Sequence, residues 1–159
     1  MDSLQIDAGM AEALRLAVAS AAEDEVPVGA VVIRTETGEM IGRGRDRKMV
    51  LNDPTAHAEI LAMREAAAAL GDWRLEGCTL IVTLEPCPMC AGAAIMARLD
   101  GVVFGASNPK FGATGSLVDL PADARWNHKL PVRGGVMAEE CGRVLSEYFR
   151  AKRGLRSVE

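Results

Sequence analysis

An α/β domain built on a mixed sheet with helices on both faces is the architecture this chain predicts, and three stretches predict it. Residues 79–84, Thr-Leu-Ile-Val-Thr-Leu, form a short unbroken apolar run of the kind buried inside a sheet. An apolar helical run over 88–98 and a second strand over 101–105 follow it, so the segment reads strand, helix, strand, with the two strands parallel. Runs with helical spacing occupy 8–22, 57–70 and 137–152. In such folds ligands sit at the carboxyl ends of strands, beside helix N-termini.

The elements follow in order. Met10, Leu14, Ala17, Val18 and Ala21 make 8–22 a packing helix, closed by the acidic Glu23-Asp24-Glu25. Val28–Ile33 is a β-branched run after Pro27, and Thr37-Gly38-Glu39 turns it into residues 40–46, which predicts a hairpin. Asn52-Asp53-Pro54-Thr55 carries cap and breaker residues directly before His57, with Asp53 or Thr55 the expected cap. Gly71 to Arg74 ends that helix. After strand 101–105 comes a Gly-rich loop over 108–116, then a short fifth strand over 130–132. The closing helix puts Val144, Leu145, Tyr148 and Phe149 on its apolar side.

With 159 residues, 49% hydrophobic and 25% charged, the chain is expected to fold as one domain over 1–159. Its net charge of −4 argues against general nucleic-acid binding, which needs a basic surface. The distribution says more. Acidic residues crowd the first forty positions, while basic ones gather at Arg43, Arg45, Arg47 and Lys48 and again at Arg143, Arg150, Lys152, Arg153 and Arg156. Such clusters suit either a solvated face or a short contact with a polyanion. Six aromatic residues are too few for a groove that stacks many bases, but one flipped base needs only one or two. No positive charge precedes Arg15, no window approaches membrane-spanning length, and the four cysteines suit a reducing compartment. A cytoplasmic protein without a membrane segment is expected.

Cys87 and Cys90, three apart at the start of a helical run, place both sulfurs on the first turn. A C-x-x-C pair fits a metal clamp, a structural zinc corner completed by Cys78 and Cys141, or a redox pair. Cys78 lies among strand residues and Cys141 in a helix, and both read as buried thiols. The redox reading leaves His57-Ala58-Glu59, at the start of another helix, without a role. His57 with two cysteines gives three N/S ligands and leaves the fourth tetrahedral position of zinc open for chemistry. Two thiolates cancel the formal charge of the ion, so it acidifies water less than a three-histidine site does. A base must stand nearby, and Glu59, not itself a ligand, is placed to act as one. His128 reads as a surface or substrate-side residue.

His57-x-Glu59 with Pro86-Cys87-x-x-Cys90 matches the H-x-E…P-C-x-x-C pattern of zinc-dependent nucleobase deaminases at every signature position. Beyond it, Glu25-Val26-Pro27-Val28-Gly29-Ala30, Asp53-Pro54-Thr55-Ala56, Val82-Thr83-Leu84-Glu85, Val103-Phe104-Gly105-Ala106, Lys110 with Gly112-Ala113, Asn127-His128 and Phe149-Arg150-Ala151-Lys152-Arg153 resemble the bacterial tRNA-specific adenosine deaminases, within the cytidine/deoxycytidylate deaminase superfamily. The resemblance implies a three-layer α/β/α cytidine-deaminase-like fold with a mixed five-stranded sheet. It implies one Zn²⁺ per subunit on His57, Cys87 and Cys90, and attack of a zinc-bound hydroxide on C6 of a wobble adenosine with Glu59 as proton shuttle. Ammonia and inosine are the implied products, a tRNA anticodon stem-loop the partner, and a homodimer the assembly. Val26, Ala58, Leu84 and Pro86 would line the base pocket, with Asn108, Lys110, Asn127, Phe149 and Lys152 towards the RNA.

Two positions depart from that pattern. Where the resemblance implies an asparagine against the base, this chain has Asp46, and an ionised carboxylate only accepts hydrogen bonds. Facing adenine N7 it must be protonated, turned away, or reading another base, and Arg45 or Arg47 is the expected ion-pair partner. Where the resemblance implies an aspartate near the substrate backbone stands Asn108, which relaxes the demand on the sugar and backbone and predicts activity on a DNA hairpin. A small-molecule deaminase of guanine, cytosine or a related base is the alternative: Asp46 and the net acidity favour it, the basic tail and Lys110 oppose it. A catalytically idle RNA-binding subunit is a third reading, opposed by the intact Glu59 and ligand set.

Overall fold

Strand β3 (Cys78–Leu84) is the middle of a five-stranded sheet in the computed structural model, which describes the backbone of residues 1–158 and the side chains of 1–154. Arg156 of the basic tail therefore lies outside the described side chains. The remaining elements are helix α1 (Ser3–Ala22), strands β1 (Gly29–Arg34) and β2 (Met40–Arg45), helices α2 (Lys48–Leu51), α3 (Ala58–Leu70) and α4 (Pro88–Met96), strands β4 (Gly101–Ala106) and β5 (Val132–Arg133), and helix α5 (Ala138–Val158). The strand order is β2-β1-β3-β4-β5. β1 runs antiparallel to both β2 and β3, whereas β3, β4 and β5 are parallel, so the expected mixed sheet and strand-helix-strand unit are present.

Alternate residues of the central strands face two separate layers, as the period of two requires. Val31, Ile33, Ile81 and Val103 pack on Ile6, Met10 and Ala13 of α1 and on Cys141 of α5. Ala30, Val32, Leu80, Val82, Val102 and Phe104 pack on Ala58, Ala62, Met63 and Ala66 of α3 and on Ala94 and Ile95 of α4. Because both faces are covered, β3 needs apolar side chains at every central position. Leu80, Ile81 and Val82 are each fully buried, which contributes about 1.5–3 kcal/mol apiece.

Several boundaries differ from expectation for local reasons. Helix α1 starts five residues early because Asp2 and Gln5 form a reciprocal capping box. The expected cap of α3 is not used: Asp53 accepts from Thr55 N–H at 2.8 Å and Thr55 Oγ1 at 2.7 Å, and His57 itself holds the N-cap position. The fifth strand sits at 132–133, where Val132 and Arg133 pair with Val102 and Val103. Edge strand β2 lies flush on α3, because a Cβ at Gly44 would run into the Ala58 carbonyl at the first turn of that helix.

Candidate metal centre and active site

Two helix N-termini meet at one point. His57 is the N-cap of α3 and Cys87 the N-cap of α4, neither making a side-chain capping bond, while Pro88 takes the first helical position and Cys90 follows on the same turn. His57 Nδ1 lies 3.6 Å from Cys87 Sγ and 3.6 Å from Cys90 Sγ. A tetrahedral ion with Zn–N about 2.05 Å and Zn–S about 2.3 Å requires an N···S separation of about 3.6 Å, so the donor set fits zinc. Among the described residues this is the group of His, Cys, Asp and Glu side chains whose ligand atoms converge, all within 4.8 Å of one another. Cys78 and Cys141 stay apart as buried thiols whose acidity burial weakens, pushing Cys141 up to about 11.

The electrostatics favour a cation here. A hydrogen bond with Cys90, and then one with His57, overcome burial and bring the Cys87 thiol down to about 4. The partnership with Cys87 pushes Cys90 up and also raises His57, against the desolvation that would lower it. Negative charge is thus concentrated on the Cys87 sulfur, at the positive end of α4. Glu59, two residues into α3, is 4% exposed, and burial pushes its carboxyl up to about 7, aided by the charge of Cys87.

A cavity of about 1170 Å³ opens on this centre. Of the residues expected at the substrate, Val26, Asp46, Ala58, Leu84, Asn108, Lys110 and Phe149 line it together with His57, Glu59 and Cys87. Three others lie outside its wall. Pro86 is buried between Glu85 and Cys87 and accepts the Ala113 amide. Asn127 is exposed in the loop before β5, next to His128, whose Nε2 meets the Leu99 carbonyl at 2.6 Å as a packing contact. Lys152 pairs with Asp24 and lies over the Tyr148 ring, 5.7 Å from its centre.

The structure also brings to the cavity residues to which the motifs gave no role: Lys48, Glu85, Phe111, Arg150 and Arg153. In the sequence Lys48 stands out only as a member of a charge cluster, while Arg150 and Arg153 belong both to a cluster and to the Phe149–Arg153 stretch that carries the resemblance. The expected ion pair of Asp46 with Arg45 or Arg47 is not formed; both arginines reach Glu23, and Lys48 Nζ holds Asp46 Oδ2 at 2.5 Å. The reason is reach, since Arg45 and Arg47 turn towards the end of α1 while Lys48 opens α2 beside the carboxylate.

Comparison with known proteins agrees with this geometry. Residues 4–106 match the model of the cytidine and deoxycytidylate deaminase zinc-binding region. The chain is 49% identical over 144 residues to the tRNA-specific adenosine deaminase of Bacillus subtilis, covering 91% of this chain and 88% of that protein. It is 54% identical over 144 residues to a tRNA(Ile)-lysidine synthase of Deinococcus radiodurans, but spans only 24% of that longer relative. A solved structure from studies of A-to-I editing by tRNA:A34 deaminases at the wobble position superimposes with a TM-score of 0.82 at 42% identity, over 86% of this chain and 98% of that one. Sequence, fold and donor geometry coincide, and the chain belongs to the cytidine and deoxycytidylate deaminase zinc-binding family.

Proposed function

We propose that this chain, folded as one domain over 1–159, hydrolytically deaminates the wobble adenosine of a tRNA anticodon to inosine. The observation that carries the chemistry is the pairing of three donors spaced for a tetrahedral ion with a buried carboxyl, Glu59, in one cavity. His57, Cys87 and Cys90 would hold the zinc ion, which when bound makes water a nucleophile near neutral pH. Glu59 takes a proton from the attacking water and passes it to N1 as the C6–O bond forms. Glu59 then takes the second proton from the new C6 hydroxyl and delivers it to the amine, so the C6–N bond breaks, ammonia leaves and C6 becomes a carbonyl. Burial raises the Glu59 carboxyl above its ordinary value, which suits a group that must both take a proton and return it.

The RNA part of the reading is supported by the rim. Lys110, Arg150 and Arg153 border the cavity, giving a locally basic mouth on an acidic chain, with Phe111 and Phe149 as apolar surfaces for a base. A homodimer is supported by Met49, Val50 and Leu51, which stand 68%, 49% and 46% exposed in succession beside the His57 segment. No helix among the described residues is long and apolar enough to cross a membrane, and a cytoplasmic location goes with a tRNA substrate.

The experiment is incubation of the zinc-loaded protein with an anticodon stem-loop, with free adenine, guanine and cytosine, and with their nucleosides, reading ammonia and base identity. Inosine at the wobble position with no turnover of the free compounds is expected. The buried acceptor Asp46 favours the second reading, and ammonia released from guanine or cytosine but not from the stem-loop would establish it.

A further inference from the structure

A carboxylate in the wall of a substrate cavity offers incoming atoms only lone pairs, and its charge needs a partner. Asp46 is 4% exposed and lines the cavity with His57 and Glu59. Its partner is Lys48, two residues on. Asp46 Oδ1 accepts the Lys48 amide N–H at 3.3 Å and Oδ2 accepts Lys48 Nζ at 2.5 Å, so both oxygens are engaged by one residue. Arg45 is held by Glu23, Arg47 Nε lies 3.8 Å from the same carboxylate, and neither lines the cavity. Lys48 itself lines the cavity, and an ammonium has three N–H donors, of which Asp46 accepts one.

Adenine presents an acceptor, N7, next to the C6 amino group. A bare carboxylate could accept from the amino group but repels the N7 lone pair, whereas a carboxylate with an ammonium fixed on it presents a donor to N7. Building on the adenosine reading above, we infer that Lys48 determines specificity in the base pocket: Asp46 pins its ammonium, and the ammonium donates to N7 of the target purine. Asp46 is then a positioning residue.

The test compares an RNA stem-loop carrying adenosine with the same RNA carrying 7-deazaadenosine, which lacks that acceptor. For the wild type kcat/KM should fall at least tenfold on the 7-deaza RNA. Lys48→Met should lose at least tenfold on adenosine and show no further loss on 7-deazaadenosine, while Lys48→Arg, which keeps a donor, should retain sensitivity to N7. A merely structural role for Lys48 moves both RNAs alike. Because Lys48→Met leaves Asp46 unpaired, Asp46→Leu/Lys48→Met removes both charges together, and it too should be indifferent to N7. Equal wild-type rates on the two RNAs, or continued N7 sensitivity without Lys48, overturn the inference while leaving the deaminase reading intact. A wild type that never converts adenosine overturns the substrate reading and the inference with it.

Discussion

The carboxylate of Glu85 accepts the backbone N–H of Asn108 at 3.1 Å, tying the strand end that delivers Cys87 to the loop that carries Lys110. The same carboxylate accepts the N–H groups of Thr114 and Ser116, each at 3.1 Å, and the Ser116 hydroxyl. Gly112 is required beside it, since a Cβ there would overlap Glu85 Oε2. One buried anion thus fastens a loop that has no helix or strand of its own. Glu85→Ala strands those donors together and should cost about 3 kcal/mol or more. Urea unfolding followed by tryptophan fluorescence checks this; a loss under about 1 kcal/mol would mean the loop is held by other contacts.

Acid should loosen the same fastening. Desolvation alone would raise the Glu85 carboxyl, but hydrogen bonds from Ser116, Asn108 and Thr114 outweigh it and hold the group below its ordinary 4.5. A carboxyl made more acidic by folding contributes stability that is present above its unfolded pKa and lost as pH falls through the folded value. The wild-type Tm should therefore drop from about pH 4.5 downward, and Glu85→Gln, which cannot titrate, should start lower at neutral pH and fall less steeply. Tm profiles of the two proteins that run parallel through the acid range would contradict this.

What could be read in the sequence followed its local regularities. The buried strand at 78–84 announced itself because both of its faces are covered, and the metal donors because two ligands share one helical turn and the third caps another helix. The cap of α3 is not legible locally, since Asp53 and Thr55 bond each other and the N-cap falls on His57, whose Nδ1 faces the sulfurs of Cys87 and Cys90 thirty or more positions on. Helix α2, four residues long, is too short to have a period, so the Lys48 partnership with Asp46 was hidden there. The Glu85 bonds span 23 to 31 residues and leave no local trace.

Ligands and proton shuttle should separate experimentally. Glu59→Gln keeps all three donors, so zinc content should remain near one per chain while kcat falls by about 10² or more. His57→Ala or Cys90→Ser should lower both. Added zinc should raise the Tm of the wild type and of Glu59→Gln, because an ion that binds only the folded chain stabilises it by mass action. Loss of zinc in Glu59→Gln would make Glu59 a ligand, and unchanged turnover would remove it from the chemistry.

Asn108 bears on the choice between RNA and DNA. Its Oδ1 accepts the Phe111 N–H at 3.2 Å, so the side chain closes its own turn at the cavity rim without bringing a charge there. A DNA hairpin lacks the 2′-hydroxyls that add contacts to RNA, so on the proposed reading its binding would lean more heavily on attraction between the phosphates and the Lys110, Arg150 and Arg153 that border the cavity. A negative charge at 108 should therefore harm DNA more than RNA. The wild type is expected to deaminate a DNA copy of the stem-loop measurably, and Asn108→Asp, which can keep the same turn bond, should cut the DNA rate several-fold more than the RNA rate. The check is single-turnover deamination of matched RNA and DNA hairpins at two salt concentrations, with the DNA deficit of Asn108→Asp shrinking as salt screens the added charge. A wild type that processes RNA briskly and leaves DNA untouched would show that the sugar itself, and not the charge at position 108, excludes DNA.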